Sequence, residues 1–196
     1  MKNKIKIDTF SANSLEILKN SKEEFYKKYV QNLELIIQND EIKEGDKFHK
    51  LICYYLKDYD IKKFESALNK EESALWENLK NSKPLIEAKC ANEKFTEQPF
   101  FIKEILENKD FYLTGRFDLI IKKEDKYIIF DWKIKNIPDN YIDNMQTIVY
   151  LYAAEKLFKT NNIEMVYYSL TKDIYKIVPF NNNCLEKIKE VIKKIY

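Results

Sequence analysis

Asp118, Asp131 and Lys133 lie in the stretch GRFDLIIKKEDKYIIFDWK. Apolar runs on both sides of its charged segment predict a β-hairpin whose turn centres on Glu124 and Asp125. A two-residue loop there places Asp118 directly opposite Asp131, and strand alternation puts Lys133 on the same face as Asp131. Like charges placed so are destabilising. A divalent cation between the carboxylates is the simplest explanation, because Mg²⁺ takes one or two carboxylates plus water and phosphate oxygens.

Four more residues outside the hairpin are candidates for chemistry. His49 is the only histidine of the chain; it borders the apolar side of a predicted helix and could bind a metal through a neutral ring nitrogen. Glu97 lies in a strand before the hairpin and could add a carboxylate. Gln146 and Tyr150 are four residues apart on a later helix, so they share a face and could hold a phosphate backbone or position Lys133.

Each candidate also has a purely structural alternative. The two aspartates and Lys133 could form a surface ion-pair ladder, and Arg116, the only arginine, could be a plain salt-bridge partner. His49 could be a core-edge residue hydrogen-bonded to backbone, which is the favoured interpretation for a single histidine. Glu97 could be a solvent-facing strand residue, and the Gln146 helix face could be merely polar.

Composition suits a single domain over residues 1–196. Hydrophobic residues make up 45% and charged residues 34%, and two glycines and four prolines favour long helices with a compact sheet. The net charge of +2 is too small to indicate nucleic-acid binding by itself. Three widely spaced cysteines lack zinc or redox spacing, which indicates free thiols in a reducing cytosol. No signal peptide or membrane span is predicted, so we expect a cytoplasmic protein.

The pattern of the chain predicts an α/β fold: a mixed sheet flanked by helices, with an N-terminal helical elaboration. The helical part covers about 11–82, the sheet core about 90–180 and a closing helix 183–196. The predicted details are a helix capped by Ser11 or Ser14, a helix over Lys22–Gln38, a break at Gly45 with a new helix from Asp46, two short helices in 60–82, strands in 93–105 bending at Pro99, a helix from Asp139 or Asn140 to Lys159, and strands at Ile163–Leu170 and Ile174–Val178.

The order of these residues carries a family resemblance. The chain has Gly45 to His49 followed by Leu51-Ile52, then Glu97, GRFD at 115–118, DWK at 131–133, and Gln146 with Tyr150; the opening SANSLEILKNSKEEFYKKYV at 11–30 adds to it. This arrangement resembles the RecB-type branch of the PD-(D/E)XK nuclease superfamily over residues 11 to about 170. The resemblance implies a central mixed sheet flanked by helices and a metal-dependent nuclease.

The resemblance also assigns roles. It implies that the metal ligands are His49, Asp118, Asp131 and the carbonyl of Trp132. Catalytic residues would be Lys133, Asp131, Asp118, Glu97, Gln146 and Tyr150, with Lys133 orienting or activating the attacking water. Substrate contacts would come from Arg116, Gln146 and Tyr150. The transfer to Glu97 is the weakest of these.

The implied cofactor is Mg²⁺ or Mn²⁺, and the implied partner is DNA, as single strands or duplex ends. Iron–sulfur members of the branch carry a Cys-Pro pair where this chain has Asn20-Ser21-Lys22, and three clustered cysteines where it has only Cys184. We therefore expect no iron–sulfur cluster. There is no helicase motor, so a separate helicase or repair subunit would have to supply translocation.

Three functions remain open at this point. The first is a DNA nuclease, exo- or endonucleolytic, in repair, recombination or defence. The second is a catalytically silent nucleic-acid-binding or assembly subunit that keeps the fold, against which the intact acid–acid–lysine set argues. The third is an ion-pair-rich scaffold without a site, which side chains of Asp118 and Asp131 pointing apart, with His49 distant from both, would support.

Overall fold

The computed structural model describes residues 7–33 and 40–195, and of residues 40–44 only the helical backbone. Its α-helices are α1 Ala12–Asn20, α2 Lys22–Phe25, α3 Asp40–Leu56, α4 Lys62–Glu65, α5 Lys70–Lys80, α6 Lys83–Cys90, α7 Met145–Phe158 and α8 Cys184–Ile192. A π-helical turn at Tyr26–Val30 continues α2, and a 3₁₀ turn at Lys193–Ile195 continues α8.

Within the described residues, six strands form one mixed sheet. They are β1 Thr9–Phe10, β2 Glu93–Leu106, β3 Lys109–Lys123, β4 Lys126–Lys133, β5 Ile163–Ser169 and β6 Ile174–Pro179. The sheet order is β1-β3-β4-β5-β6, with β2 also paired to β3. β1 with β3 and β4 with β5 are parallel, and the remaining pairs are antiparallel. The short strand β1 lies within the segment for which the sequence predicted only an extended start.

Helices cover both faces of the sheet, as the sequence predicted. On one face, α1, α7 and α8 pack over a core that includes Phe111, Ile129 and Tyr167. On the other, α3, α5 and α6 pack over a core that includes Phe130 and Trp132. Burial on both faces explains why β4 and β5 read as continuous apolar runs rather than as alternating ones.

The hairpin register that the sequence predicted is confirmed. β3 and β4 pair from Lys123 with Lys126 to Leu119 with Phe130, around a two-residue turn. Glu124 in that turn adopts a positive φ of 55°, as the tight connection between twisted strands requires. One step beyond Leu119, the same register brings Asp118 opposite Asp131, and there the backbone pairing of the two strands ends.

β2 and β3 change faces together at one point. On β2, the odd-numbered Phe95 packs on the α7 side, but from Phe100 onward it is even-numbered residues that do so. On β3 the change falls between Phe117 and Ile120, which both face α7 although their parities differ. The pairing of the two strands skips a single position, where Glu97 with φ 54° lies opposite Asp118. The bend therefore lies at Glu97, and the predicted bend at Pro99 is wrong.

Two helix boundaries in the first part of the chain differ from the prediction. The helix predicted over Lys22–Gln38 ends at Val30, and residues 34–38 of that prediction lie outside the described part. Gly45 does not break the chain, because α3 runs through it from Asp40. An interior glycine costs a helix only about 1 kcal/mol relative to alanine, and the buried residues further along α3 outweigh that cost.

The N-terminal caps of α1 and α7 test two further predictions. Ser11 caps α1, as one of the two predicted alternatives, and Ser14 completes a reciprocal capping box with it. The start predicted for α7 at Asp139 or Asn140 is wrong, because Asn144 caps it by accepting a hydrogen bond from the Thr147 amide. Residues 138–144 form turns instead, which leaves room beside the end of β4.

Gly115 is needed where β3 passes beneath an aromatic cluster. A Cβ atom placed there would lie 2.5 Å from the ring of Phe100. That ring is buried and contacts the rings of Phe117 and Tyr150, at centroid distances of 4.9 Å and 5.8 Å. The absence of a side chain at Gly115 thus lets Phe100 link the hairpin to α7.

We predict that Gly115→Ala destabilises the protein by about 1–3 kcal/mol, because the methyl group overpacks the cluster around Phe100. Gly45→Ala is the matched control: nothing lies within 4 Å of its added Cβ, so better helix propensity should stabilise by about 0.5–1 kcal/mol. Urea unfolding of both variants measures the two free energies. A Gly115→Ala protein as stable as wild type would contradict the close approach.

Candidate active site

The candidate site forms where β3 and β4 stop pairing. β3 contributes Asp118 at its bend, β4 contributes Asp131 and Lys133 at its end, and α3 brings His49 from the opposite face of the sheet. Beyond this point β4 is still held by parallel pairing with β5 up to Lys133. The site residues of β4 therefore lie on a firmly paired strand, while the other edge of that strand is open.

Asp131 is the buried centre of this cluster, with only 2% of its surface exposed. Its Oδ2 lies 2.8 Å from the Lys133 ammonium, and its Oδ1 accepts a hydrogen bond of 2.7 Å from the Gln146 side chain. Gln146 in turn accepts a 3.0 Å hydrogen bond from Lys133. Asp131, Lys133 and Gln146 thus form one triangle. The Gln146 NH₂ group donates to Asp131, and its oxygen accepts from Lys133.

His49 bridges β3 and β4. Its Nδ1 lies 3.2 Å from Asp118 Oδ2, and its Nε2 lies 3.0 Å from the carbonyl oxygen of Trp132. A carbonyl can only accept, so Nε2 carries a proton and donates it. With Nδ1 facing a carboxylate as well, both ring nitrogens face oxygen acceptors, which favours the doubly protonated imidazolium when no metal is bound.

The pKa values of the two central groups shift for identifiable reasons. Burial lowers the pKa of His49, but Asp118, the charge of Asp131 and the Trp132 carbonyl together raise it more, so it lies above its ordinary value. Burial raises the pKa of Asp131; the Lys133 ammonium opposes this, while the negative charge of Asp118 adds to it. Each carboxylate of the cluster thus has one cation of its own.

A separate group of contacts lies at the open edge of β3 and does not include the carboxylates of Asp118 and Asp131. It is formed by Arg116, Glu97 and Tyr150. The Arg116 guanidinium lies 2.7 Å from the Glu97 carboxylate, and the Tyr150 hydroxyl donates a 2.9 Å hydrogen bond to the Arg116 carbonyl. Burial, with the negative charges of Asp131 and Asp118 nearby, keeps the pKa of Tyr150 far above its usual range, so the hydroxyl stays a donor. Glu97 contacts Arg116 and is not part of the triangle around Asp131.

The structure adds residues that the sequence did not single out. Tyr167 on β5 lies beneath Lys133, whose ammonium is 5.7 Å from the ring centroid. Its hydroxyl is 2.8 Å from Thr147 Oγ1 and 3.3 Å from Asn144 Oδ1. A tyrosine in an apolar strand gives no sequence signal for this role; the parallel pairing of Asp131 with Tyr167 creates it.

A cleft of about 400 Å³ opens beside the triangle, between the start of α1 and the start of α7. Its lining includes Ser11, Asn13, Thr114, Gln146 and Tyr150. A larger cavity of about 610 Å³ lies at the other end of the hairpin, against α6 and the β3–β4 turn. Of these two cavities, only the smaller one borders the triangle, through the side chain of Gln146.

The family of the chain follows from sequence comparison. A sequence profile of the PD-(D/E)XK nuclease superfamily matches residues 9–195. The chain belongs to the PD-(D/E)XK nuclease superfamily. The mixed sheet with helices on both faces agrees with that fold, and the family prediction made from the residues is confirmed.

Comparison of structures supports the fold alone. A solved structure titled "Crystal structure of SSO0001" matches with a TM-score of 0.51 and 14% sequence identity, covering 98% of this chain and 77% of that one. Among curated proteins, none matches the chain at a significant level of similarity. No helix in residues 7–33 and 40–195 has the length and apolar composition needed to span a bilayer.

Proteins of this superfamily generally use divalent cations, and the donor atoms present here are compatible with one. Asp118 Oδ2 and Asp131 Oδ2 are buried without a well-directed hydrogen bond, although His49 Nδ1 lies 3.2 Å from the first and the Lys133 ammonium 2.8 Å from the second. Across the described residues, no three His, Cys, Asp or Glu side chains are gathered at metal-ligand distances. Both oxygens could therefore bind a cation. In this structure they face His49 and Lys133 instead.

We predict that in metal-free protein His49 titrates above the ordinary histidine pKa of about 6.5, since two oxygen acceptors and two carboxylate charges outweigh burial. Asp118→Asn should lower that pKa, because it removes one charge while keeping the shape. The ¹H–¹³C NMR resonance of the ring measures both, and a single histidine makes its assignment unambiguous. A wild-type pKa at or below the ordinary value would show that burial dominates.

Proposed function

We propose that this chain is a metal-dependent nuclease that hydrolyses DNA phosphodiester bonds. The observation that carries the proposal is the convergence of Asp118, Asp131, Lys133 and His49 at the open end of β4, with two buried carboxylate oxygens that lack a well-directed hydrogen bond. Membership of a nuclease superfamily supports it. The contact of His49 with Asp118 argues against a scaffold without a site.

The ligands for Mg²⁺ or Mn²⁺ would be the carboxylates of Asp118 and Asp131, the His49 ring and the carbonyl of Trp132. Carboxylate and carbonyl oxygens suit both ions. A bound cation would supply Lewis-acid polarisation of the phosphate and a more acidic water. For the ring to become a ligand, one of its nitrogens must be unprotonated: Nδ1, which faces Asp118, or Nε2, which would also have to release its hydrogen bond to the Trp132 carbonyl.

Lys133 is the residue that acts on the reacting groups. Its ammonium lies at the rim of the cluster, 28% exposed, while Asp131 beside it is buried. In that position it can orient the attacking water or stabilise charge on the phosphate oxygens. Gln146 holds both Asp131 and Lys133, and it is a positioning residue in this arrangement. Tyr150 fixes β3 against α7 through the Arg116 carbonyl.

The predicted substrate contacts of Arg116, Gln146 and Tyr150 are part of this proposal. Arg116 is the best placed of them, since its side chain is 63% exposed and its guanidinium lies 2.7 Å from the Glu97 carboxylate at the open edge of β3. The sequence resembles the RecB-type branch, and we propose accordingly a role in DNA repair, recombination or defence. A separate helicase or repair subunit would supply translocation along the DNA.

Lys133→Met should reduce Mg²⁺- or Mn²⁺-dependent DNA cleavage by at least about 100-fold, because a positioned group near the transferring phosphoryl contributes on that order. Lys176→Met is the matched control: it removes the same charge from the exposed strand β6. Degradation of a labelled linear DNA, as single strand and as duplex, measures the rates. Circular dichroism confirms that both variants are folded.

Two outcomes would sink this proposal. If wild type cleaves neither DNA nor RNA with either cation, the nuclease activity is absent. Salt-dependent DNA binding without cleavage would then favour the alternative, a catalytically silent nucleic-acid-binding or assembly subunit. If Lys133→Met cleaves as fast as Lys176→Met, the activity resides elsewhere.

A second prediction concerns the cation itself. Mn²⁺ is paramagnetic, so binding beside His49 should broaden the single histidine ring resonance at substoichiometric concentrations. For Asp131→Asn, the same broadening should require at least about ten times more Mn²⁺, because the substitution removes one charged ligand. The asparagine oxygen can still accept the hydrogen bond from Gln146. Asp173→Asn, an exposed aspartate on the β5–β6 turn, is the control. Equal broadening in all three proteins would place the cation away from the cluster.

A further inference from the structure

Among the residues that the structure describes, no helix covers one face of the β2–β3 hairpin section nearest to the site. On β2, Phe100, Ile102 and Leu106 point into the core while the residues between them alternate outward. The outward residues of this open face are Pro99, Phe101, Lys103 and Ile105 on β2, and Tyr112, Thr114 and Arg116 on β3. The helices of the second core lie over residues beyond the bend at Glu97 and leave this section of sheet exposed.

Two aromatic rings form a flat platform on the open face. The Phe101 side chain is 65% exposed. Its ring stacks against that of Tyr112 with centroids 5.1 Å apart and planes 19° apart. A large apolar side chain in such a position gains little from folding, and stacked aromatic rings on a strand surface offer planar area to a planar ligand.

The platform adjoins the cleft of the candidate active site. Phe101 pairs directly with Thr114, and Thr114 lines the cleft together with Gln146 and Tyr150. From Tyr112 to Asp118 is six residues along β3, or roughly 20 Å at about 3.3 Å per residue. Thr114 therefore connects the cleft with the two rings of the platform.

We propose that the open face binds the single-stranded part of a nucleic-acid substrate, with bases stacked on Phe101 and Tyr112 and the adjoining phosphate near Arg116. This rests on the proposed nuclease function and assigns its substrate class: a strand with unpaired bases. In a duplex the base faces are already stacked on one another, so these rings would have no partner.

The charges on the face favour stacking over electrostatic attraction. Lys103 lies 2.7 Å from Asp110, and Arg116 lies 2.7 Å from Glu97. Each of these cations is neutralised by one carboxylate, so the surface carries little net charge. Base stacking is the interaction that remains, and it should make binding to this face less salt-dependent than binding that relies on phosphate contacts.

The test is the affinity for a labelled oligothymidine, measured by fluorescence anisotropy in the Lys133→Met background so that the strand is not cut. Phe101→Ala should weaken binding about tenfold, the order expected for losing one base–aromatic stack. Phe101→Trp should restore it. Tyr59→Ala removes a ring that is 59% exposed on the α3–α4 connection and should leave the affinity unchanged. A blunt duplex of equal length should be insensitive to all three changes.

Kinetics in the active protein give a second readout. Phe101→Ala should raise KM for single-stranded DNA and leave kcat within about twofold, because the ring contacts the strand away from the reacting phosphate. Unchanged single-strand affinity in Phe101→Ala, or equal losses for Phe101→Ala and Tyr59→Ala, would overturn the inference. So would a concentration-dependent dimer in ultracentrifugation that Phe101→Ala abolishes, since the face would then bind a second copy of the chain.

The two proposals can fail separately. Cleavage that depends on Lys133 together with an unaltered single-strand affinity in Phe101→Ala leaves the nuclease standing and rejects the platform. Absence of cleavage by wild type rejects the nuclease, and the anisotropy experiment still decides whether the face binds single strands.

Discussion

The burial of the Asp131 carboxylate is the constraint on which the site depends. A charged carboxylate that is 2% exposed would cost several kcal/mol without compensation. Compensation comes from the Lys133 ammonium and the Gln146 amide, one on each oxygen. Gln146 can reach Asp131 because α7 begins only at Met145, after the turns of residues 138–144. The position of α7 therefore affects the ionisation of Asp131, because it brings Gln146 within hydrogen-bonding distance.

The bend of β2 and β3 solves a second electrostatic problem. If the β3–β4 ladder continued one step, Asp118 and Asp131 would be forced to face each other at the short distance of a cross-strand pair. The pairing ends at Leu119, and both β2 and β3 change faces at the same position. Glu97 adopts a positive φ at this position. For a residue other than glycine, that conformation costs on the order of 1 kcal/mol. The strained residue thus lies opposite Asp118, at the position where the β3–β4 pairing ends.

Much of this arrangement could be predicted because strand period and turn length are local. The register of the hairpin follows from a two-residue turn between apolar runs, and it places Asp118 opposite Asp131 as expected. The bend at Glu97 has no such signal; Pro99 looks like a break in the sequence, while the strain at Glu97 arises from tertiary packing. The helix through Gly45 and the cap at Asn144 were missed for the same reason. The engagement of Gln146 with Asp131 depends on how α7 lies across β4, which periodicity cannot specify.

Without a metal, each carboxylate of the cluster lies beside a basic side chain, His49 at Asp118 and Lys133 at Asp131. That pairing stabilises the empty site and also sets a competition, because a divalent cation must displace positive charge to reach the same oxygens. A dication brings two charges where His49 contributes one, and the ring can become a ligand once it has lost its proton. Metal binding at this site should therefore release a proton and strengthen with rising pH through the His49 titration. Under the proposed metal-dependent activity, the groups that neutralise the two carboxylates would therefore also determine when the cation can enter.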